Sequence, residues 1–343
     1  MTAARPTLEQ VARAAGVSKA TASKVLNRRP NISTETRRRV QQAIDELGYV
    51  PTTGPRERAP LQKVNVVFHT LVNLYAMHVL EGILAAAHDQ RVEVLVDLTD
   101  PELGDDDGPL SPAWTRRLAA HGSTGVILVT LELTADQRDL MRALGLSVVL
   151  IDPIDPLDDE VVSVGSTNFT GGMQATRHLL DLGHRRIAFA GGHPGSMASR
   201  ERLQGYLSAM SAVGAPVDPA LILEREFSVA AGLEMAAQLL AEPEPPTAIF
   251  AGCDASALGV FEAARRRGLR VPEDLSVVGF DDTYMAVSSA PPLTTVRQPI
   301  KDMGRVALRT VLQQVRGERV DSHHVQLATQ LVVRGSTAAV GAG

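Results

Sequence analysis

Four aspartates stand at or just beyond the ends of apolar runs in this chain: Asp152 in SVVLID, Asp254 after TAIFAG, and the pair Asp281-Asp282 in LSVVGFDD. Carboxylates in such places accept hydrogen bonds from the hydroxyl groups of a small ligand, and an arginine donates several in a fixed fork. Arg200 and Arg202 follow the turn-rich GGHPGSMAS and supply that donor. For any single aspartate, capping the next helix is an equal use of the side chain. Recurrence at equivalent places is what favours a ligand. A second chemistry is offered near the N-terminus, where Lys19, Ala20, Thr21, Ser23 and Lys24 fall on the outer face of one short helix. Small and hydroxyl side chains let a backbone lie close to DNA, while lysines reach base acceptors or phosphates.

Other reactive residues lead nowhere comparable. His323-His324 lacks acidic or cysteine partners at ligand spacing, and neighbours on a strand face opposite ways, so no metal is expected. His184 in LGHRRI reads as a structural loop residue, and Cys253 as a small packing side chain. The acidic run Glu102 to Asp107 reads as an exposed loop. No G-x-S-x-G, P-loop or G-x-G-x-x-G pattern occurs, so neither a hydrolase nor a nucleotide enzyme is indicated and no cofactor is expected. An acid–base pair made of Asp281 and Asp282 is a third reading, opposed by the fact that adjacent carboxylates need not face one substrate.

These residues need elements to hold them. Thr7 with Gln10 forms a capping-box pattern ahead of Leu8, Val11, Ala12 and Ala15, and Gly16 closes that helix. Ser18 caps a second helix from Lys19 to about Asn27, only Gly16-Val17-Ser18 away, which is the tight connection of a helix-turn-helix. Ser33 caps a third, with Val40, Ile44 and Leu47 on one face and Gly48 as its stop. Beyond residue 63, strand-like runs at 64–68, 92–98, 125–131, 147–152, 162–165, 186–192, 221–226, 247–252 and 275–282 alternate with helical stretches. That alternation predicts parallel sheets with helices on both faces, in two lobes that break near 165 and 295. In such sheets ligands sit beyond the carboxyl ends of the strands, which is where the aspartates lie.

Composition agrees with two unlike parts. Hydrophobic residues make up 44% of the 343 and charged residues 21%, as in an ordinary soluble protein. Residues 1–60 carry eleven lysines and arginines against five acids, and since the whole chain carries 34 against 39, the remainder holds 23 against 34. A basic head on an acidic body suits a DNA-binding module joined to a sensing module. No apolar stretch approaches the roughly 20 residues of a membrane helix. The opening MTAARPTLEQ lacks a secretory core, so the cytoplasm is the expected address. A single cysteine excludes an internal disulfide.

The segment TLEQVARAAGVSKATASKVLNRRPNISTETRRRVQQAIDELGYVP resembles the headpiece of the LacI family of bacterial repressors nearly throughout. The body resembles that family's sensor domain, itself similar to periplasmic sugar-binding proteins, at LGHRRIAFAGG, RERLQGY, LSVVGFDDTYMA and PPLTTVRQP. The resemblance implies a recognition helix in the major groove, presented twice by a homodimer or higher oligomer to a pseudo-palindromic operator on double-stranded DNA. By position, Lys19, Ala20 and Lys24 are then base readers and Thr21, Ser23 and Asn27 backbone contacts. Thr7, Ser18, Arg28 and Tyr49 complete the DNA-facing set. Arg202 and Asp281 are the leading effector contacts, followed by Asp152, Phe227 and Gln298, with Asp254 beside them. Asn73 and Tyr75 line the other lobe, and Cys253 stands where sugar-responsive members have asparagine. The effector implied is a sugar or sugar derivative.

One segment departs from the pattern. Where the family carries a short hinge helix with a wedge leucine, this chain has TTGPRERAPLQK, with Pro55 and Pro60 bracketing one turn and Arg58 in place of the leucine. Arg56 and Arg58 touching the minor groove, or a plain linker, fit better than Leu61 as a wedge. The expected organisation is a helix-turn-helix domain at 1–51 and a hinge at 52–62. A two-lobed domain follows at 63–337, with lobe one at 63–165 and 299–325 and lobe two at 166–298 and 326–337, and then a flexible tail at 338–343. The function read from these features is a ligand-controlled repressor of carbohydrate uptake or catabolism genes. The alternative is a small-molecule sensor whose DNA binding is weakened or depends on a corepressor. Whether the ligand releases DNA or promotes its binding is open at this stage. Replacing Lys24 with alanine is expected to weaken binding to the operator much more than binding to random duplex, measured side by side at one salt concentration. A uniform loss would make Lys24 a phosphate contact.

Overall fold

The computed structural model describes residues 6–26, 29, 32–47, 49, 61–99, 108–154 and 160–341. They divide into two compact units, Met1–Leu61 and Gln62–Gly343. Asn27, Arg28, Gly48, the hinge residues Pro55, Arg56, Arg58 and Pro60, and the acidic run 102–107 lie outside the described residues.

The first unit has three helices, α1 (Leu8–Ala14), α2 (Lys19–Leu26) and α3 (Thr34–Leu47). Thr7 closes the α1 capping box, its hydroxyl accepting from Gln10 N at 3.3 Å while Gln10 Oε1 accepts from Thr7 N at 2.7 Å. Ser18 and Ser33 cap the other two, accepting from Thr21 N at 3.1 Å and Thr36 N at 3.2 Å. Gly16, at φ +63°, makes the turn between α1 and α2 in a conformation that favours glycine. Val11, Ala12, Ala15, Ala22, Val25, Val40 and Ala43 form the core, and Tyr49 is buried with them.

The second unit holds two six-stranded sheets. The first contains β1 (Lys63–Phe68), β2 (Glu93–Leu98), β3 (Ser123–Val129), β4 (Ser147–Ile151), β5 (Val162–Ser166) and β11 (His324–Leu327), in the order β11-β5-β4-β3-β1-β2 and all parallel. The second contains β6 (Ile187–Gly191), β7 (Ile222–Glu224), β8 (Ala248–Ala251), β9 (Ser276–Asp281), β10 (Thr294–Arg297) and β12 (Gln330–Val332), in the order β12-β10-β9-β8-β6-β7. Only β12 runs antiparallel to its neighbour. The two orders are the same pattern used twice, so both lobes place their strand ends alike. Apolar cores on both faces of each sheet explain why the strands read as continuous hydrophobic runs.

Helices α4 (Leu74–Gln90) and α12 (Ile300–Val315) cover one face of the first sheet, and α5 (Pro112–Ala120) and α6 (Ala135–Ala143) the other. In lobe two, α7 (Asn168–Asp181) and α8 (Met197–Ala212) lie opposite α9 (Val229–Leu239) and α10 (Asp254–Arg266), with the short α11 (Tyr284–Ser288) near β10. Three helix pairs cross at glycines so closely that no side chain fits. A Cβ on Gly304 of α12 would lie 2.4 Å from Val79 O of α4, and one on Gly205 of α8 would lie 2.2 Å from Phe169 O of α7. In α10, a Cβ on Gly259 would lie 2.2 Å from Val229 O of α9.

Several expectations change. The third crossing between lobes falls at 328–329 rather than after 325, because Gln326 and Leu327 pair with Gly165 and Ser166 in the first sheet. Residues 338–340 are not a flexible tail. Ala338 N donates to Ser276 Oγ at 3.0 Å and Val340 N to Leu182 O at 3.0 Å. His184 holds the same segment: Nε2 lies 3.1 Å from Ala338 O, and Nδ1 is 2.9 Å from Thr247 Oγ1. Strands β10, β11 and β12 have three or four residues each and carry polar side chains, too short for an alternating pattern to declare itself. Among the described residues no helix is long and apolar enough to cross a membrane. Gly304→Ala is expected to destabilise the chain by about 1–3 kcal/mol, since α4 and α12 must part to admit a methyl group. An unchanged melting temperature would show that this crossing is not tightly determined.

Candidate functional site

In the first unit, Ala22 and Val25 turn inward, which leaves Ser18, Lys19, Ala20 and Lys24 exposed and Thr21 and Ser23 half-buried on the other side of α2. Lys19 makes only a loose ion pair with Glu9 at 4.0 Å. The face offers two cations beside small and hydroxyl side chains. Two residues of the DNA-facing set have different work here. Tyr49 is only 6% exposed, drawn into the head's core by its apolar ring, and Thr7 is engaged as a helix cap.

In the second unit, the strand ends of both lobes converge. Arg202 lies in the second turn of α8 and is buried. Its Nε donates to Asn168 Oδ1 at 2.9 Å and its Nη1 to Gly252 O at 2.7 Å. The guanidinium carbon lies 3.8 Å from the Phe280 ring centre and 5.5 Å from that of Phe227. Its height on the helix is fixed from behind, because a Cβ on Gly172 of α7 would lie 2.3 Å from Arg202 O.

Asp281 ends β9 with φ +113° and is nearly buried. Gln298 Nε2 donates to its Oδ1 at 2.6 Å, and Ser166 Oγ donates to Gln298 Oε1 at 2.5 Å. Gln298 therefore ties the end of β9 in lobe two to the end of β5 in lobe one. Burial pushes the Asp281 carboxyl well above the usual carboxylate range, and Arg202 pulls it back down. Asp152 follows β4 at φ +43° and accepts from the Tyr75 hydroxyl at 2.5 Å. Its carboxyl is also raised by burial, with Tyr75 and Arg202 opposing. Asn73 sets the start of α4 by accepting from Ala76 N at 2.8 Å, which places Tyr75 one turn into the cleft. Backbone held at positive φ by a non-glycine residue is costly and is tolerated where the surroundings over-determine it.

Not every strand-end residue faces this cleft. The Asp254 carboxylate is fully engaged inside lobe two: Oδ2 accepts from Thr283 N at 2.6 Å and Thr283 Oγ1 at 2.9 Å, and Oδ1 from Thr295 Oγ1 at 2.6 Å. Cys253 caps α10, its Sγ accepting from Ser256 N at 3.3 Å, and burial pushes its thiol up to about 12. Asp282 is held by Arg297 Nε at 2.6 Å and by Arg334, away from Asp281. The two aspartates therefore serve separate partners rather than one acid–base pair. Arg200 remains exposed. Phe227 lies half-buried, flat against Gly192, where a Cβ would come within 2.0 Å of its ring.

The structure adds residues that sequence reasoning passed over: Ser166, Asn168, Glu201 and Phe280. Asn168 and Ser166 occupy the end of β5 and the start of α7, so the same strand-end rule would have found them. A cavity of about 340 Å³ opens here, lined by Asp152, Ser163, Ser166, Asn168, Glu201 and Gln326 among others. Its polar walls come from both lobes. The arrangement can hold a small molecule rich in hydroxyl groups, with acceptors on the Asp152 and Glu201 carboxylates.

Comparison with known proteins accounts for both units. Residues 7–52 match the family model described as bacterial regulatory proteins, lacI family, and residues 176–337 match that of the periplasmic binding protein-like domain. The transcriptional regulator DegA of Bacillus subtilis (strain 168) is 34% identical over 97% of this chain and 98% of its own length. The transcriptional regulator CelR of Thermobifida fusca is 34% identical over 97% of this chain and 98% of its own. Among solved structures, a CelR–cellobiose complex shares 32% identity with a TM-score of 0.72, covering 97% of this chain and all of that one. A lac repressor dimer bound to operator and an anti-inducer shares 27% identity with a TM-score of 0.76, covering 98% of this chain and all of that one. The chain thus belongs to the LacI family and is a ligand-responsive, DNA-binding transcriptional regulator.

Proposed function

We propose that this regulator represses genes for carbohydrate uptake or catabolism from the cytoplasm, and that a sugar or sugar derivative in the cleft releases it from DNA. The observation that carries this reading is a polar cavity walled by both lobes, with Asp152, Ser166 and Asn168 on its lining and Tyr75, Asp281 and Arg202 held directly behind them. Carboxylates that accept from hydroxyls, an arginine that donates and an aromatic face are the parts a sugar site needs. CelR, solved with cellobiose, supports the ligand class. Asp282 is neutralised by Arg297 and Arg334, so it does not act with Asp281 as an acid–base pair.

The working form is a homodimer on a pseudo-palindromic operator, with Lys19, Ala20 and Lys24 reading bases and Thr21 and Ser23 contacting the backbone. The lac repressor dimer on its operator supports this assembly. An exposed apolar strip on α4 and the edge strand β2, made of Met77, Leu84, Leu95 and Val96, fits a second copy. Ligand in the cleft favours one arrangement of the lobes. Because α4 forms part of both the cleft and this strip, the preference reaches the partner and changes how the two heads are presented.

Selection of duplexes from a random pool by the ligand-free protein is the test, and a two-fold symmetric motif is the expected result. Failure to enrich any motif would remove the free-standing repressor and leave a sensor that needs a corepressor. Arg202→Ala is expected to abolish ligand-induced release while leaving operator affinity within about twofold, read by titration with labelled operator. Equal loss of both would contradict the placement of the effector site.

A further inference from the structure

The cavity between the lobes carries a charge imbalance that hydroxyl recognition does not use. Among the described residues two carboxylates line it, Asp152 and Glu201, and no lysine or arginine does. Asp152 comes from the end of β4 in lobe one, and Glu201 from α8 in lobe two. Arg202, behind the wall with Nε and Nη1 on Asn168 and Gly252 and its face on Phe280, lowers both carboxyls, but one guanidinium faces three acids, Asp152, Glu201 and Asp281, and offsets them only in part. The N-terminus of α8 is the other source of positive potential beside the cavity, and two of its first donors are taken. Met197 N donates to Ile154 O at 3.1 Å and Ser199 N to Ser196 Oγ at 3.3 Å. His324 is engaged through Nδ1 with Ser163 Oγ at 3.1 Å. A phosphorylated or acidic ligand would meet like charge in a partly desolvated pocket, where repulsion is much stronger than in water.

We propose that Glu201 sets the specificity of the cleft, and that the effector presents an ammonium group, as an amino sugar does, to be held between Asp152 and Glu201. The inference rests on the cleft being the effector site and narrows the ligand within it. Burial raises the Glu201 carboxyl, a hydrogen bond with Asn168 opposes this and Asp152 raises it again, so the cleft resists ionising both. A cation between them reverses that repulsion. Since the two acids belong to different lobes, the ligand's charge draws the lobes together. Hydroxyl contacts orient the ring, while the charge pair separates an amine from its neutral twin.

The test uses the full-length protein with matched pairs, D-glucosamine against D-glucose and D-galactosamine against D-galactose, by calorimetry, thermal melting and release of labelled operator. At least one amine is expected to bind about tenfold more tightly than its neutral twin, a ratio typical of one added charge-assisted contact. Glu201→Gln should bring that ratio close to one. It should also raise the melting temperature of the ligand-free protein, since a like charge facing Asp152 is gone. Equal binding of twin sugars, or a preference that survives Glu201→Gln, would overturn the proposal. Absence of any amine binding overturns it too. Release of operator by a neutral sugar in that case would leave the sugar-responsive repressor standing, so the two readings fail separately.

Discussion

A guanidinium cannot stay charged inside a protein unless its surroundings replace the water it lost, and Arg202 organises this molecule through that requirement. Carbonyl and amide oxygens at Gly252 and Asn168 take its protons, the Phe280 ring takes its face, and Asp281 and Asp152 supply the compensating field. Phe280 and Asp281 belong to the end of β9, and the others to the loop after β8, the start of α7 and the end of β4. Four of these partners lie in lobe two and one, Asp152, in lobe one, so the arginine's field reaches the strand ends of both lobes. The arginine's position depends in turn on the close crossing of α7 and α8 at Gly172 and Gly205, which leaves no room for the helix to slide.

The repeated sheet order explains why such convergence arises. Two lobes with the same strand order each bring a row of carboxyl ends to one edge, and the chain passes between them three times, near 167, 298 and 328. Two of those passages carry site residues, Asn168 and Gln298. A hinge made from the binding site itself has a mechanical consequence. Any ligand that changes the hydrogen bonds of Gln298, which now spans Ser166 and Asp281, acts directly on the angle between the lobes.

Much of this was legible in the sequence because local rules govern it. Caps at Thr7, Ser18 and Ser33 announce helices, and apolar runs bounded by glycine announce strands whose ends mark the cleft. Arg202, Asp281 and Asp152 are marked on that basis, whereas Gln298 and Tyr75 come only from the family resemblance. Position at a strand end does not say which way a side chain turns, however, and that is where the reading stops. Asp254 has the same sequence context as Asp281, yet Thr283 and Thr295 capture both its oxygens. Cys253 sits one residue earlier and becomes a helix cap. Tyr49, which the resemblance put among the DNA-facing residues, is captured through its ring by the head's apolar core. For Asp254 and Tyr49 the deciding partners are distant in the chain and ordinary in type.

The cleft is also where the fold gives up stability. Asp152, Asp281 and Asp282 all hold positive φ, and Asp152, Asp281 and Glu201 all have carboxyls raised chiefly by burial. A carboxyl whose pKa is higher folded than unfolded stabilises the fold fully only below its unfolded value. That contribution is lost as pH rises through the folded one, because the native state then must either keep a proton or bury a charge. Above the ordinary carboxylate range, the ligand-free cleft is therefore under electrostatic tension. The apolar cores on both faces of both sheets hold it in place. A ligand that donates hydrogen bonds or positive charge to these acids relieves the tension at the point where the lobes meet. Its binding energy thus goes into the relation between the lobes, which is the coordinate a regulator must control.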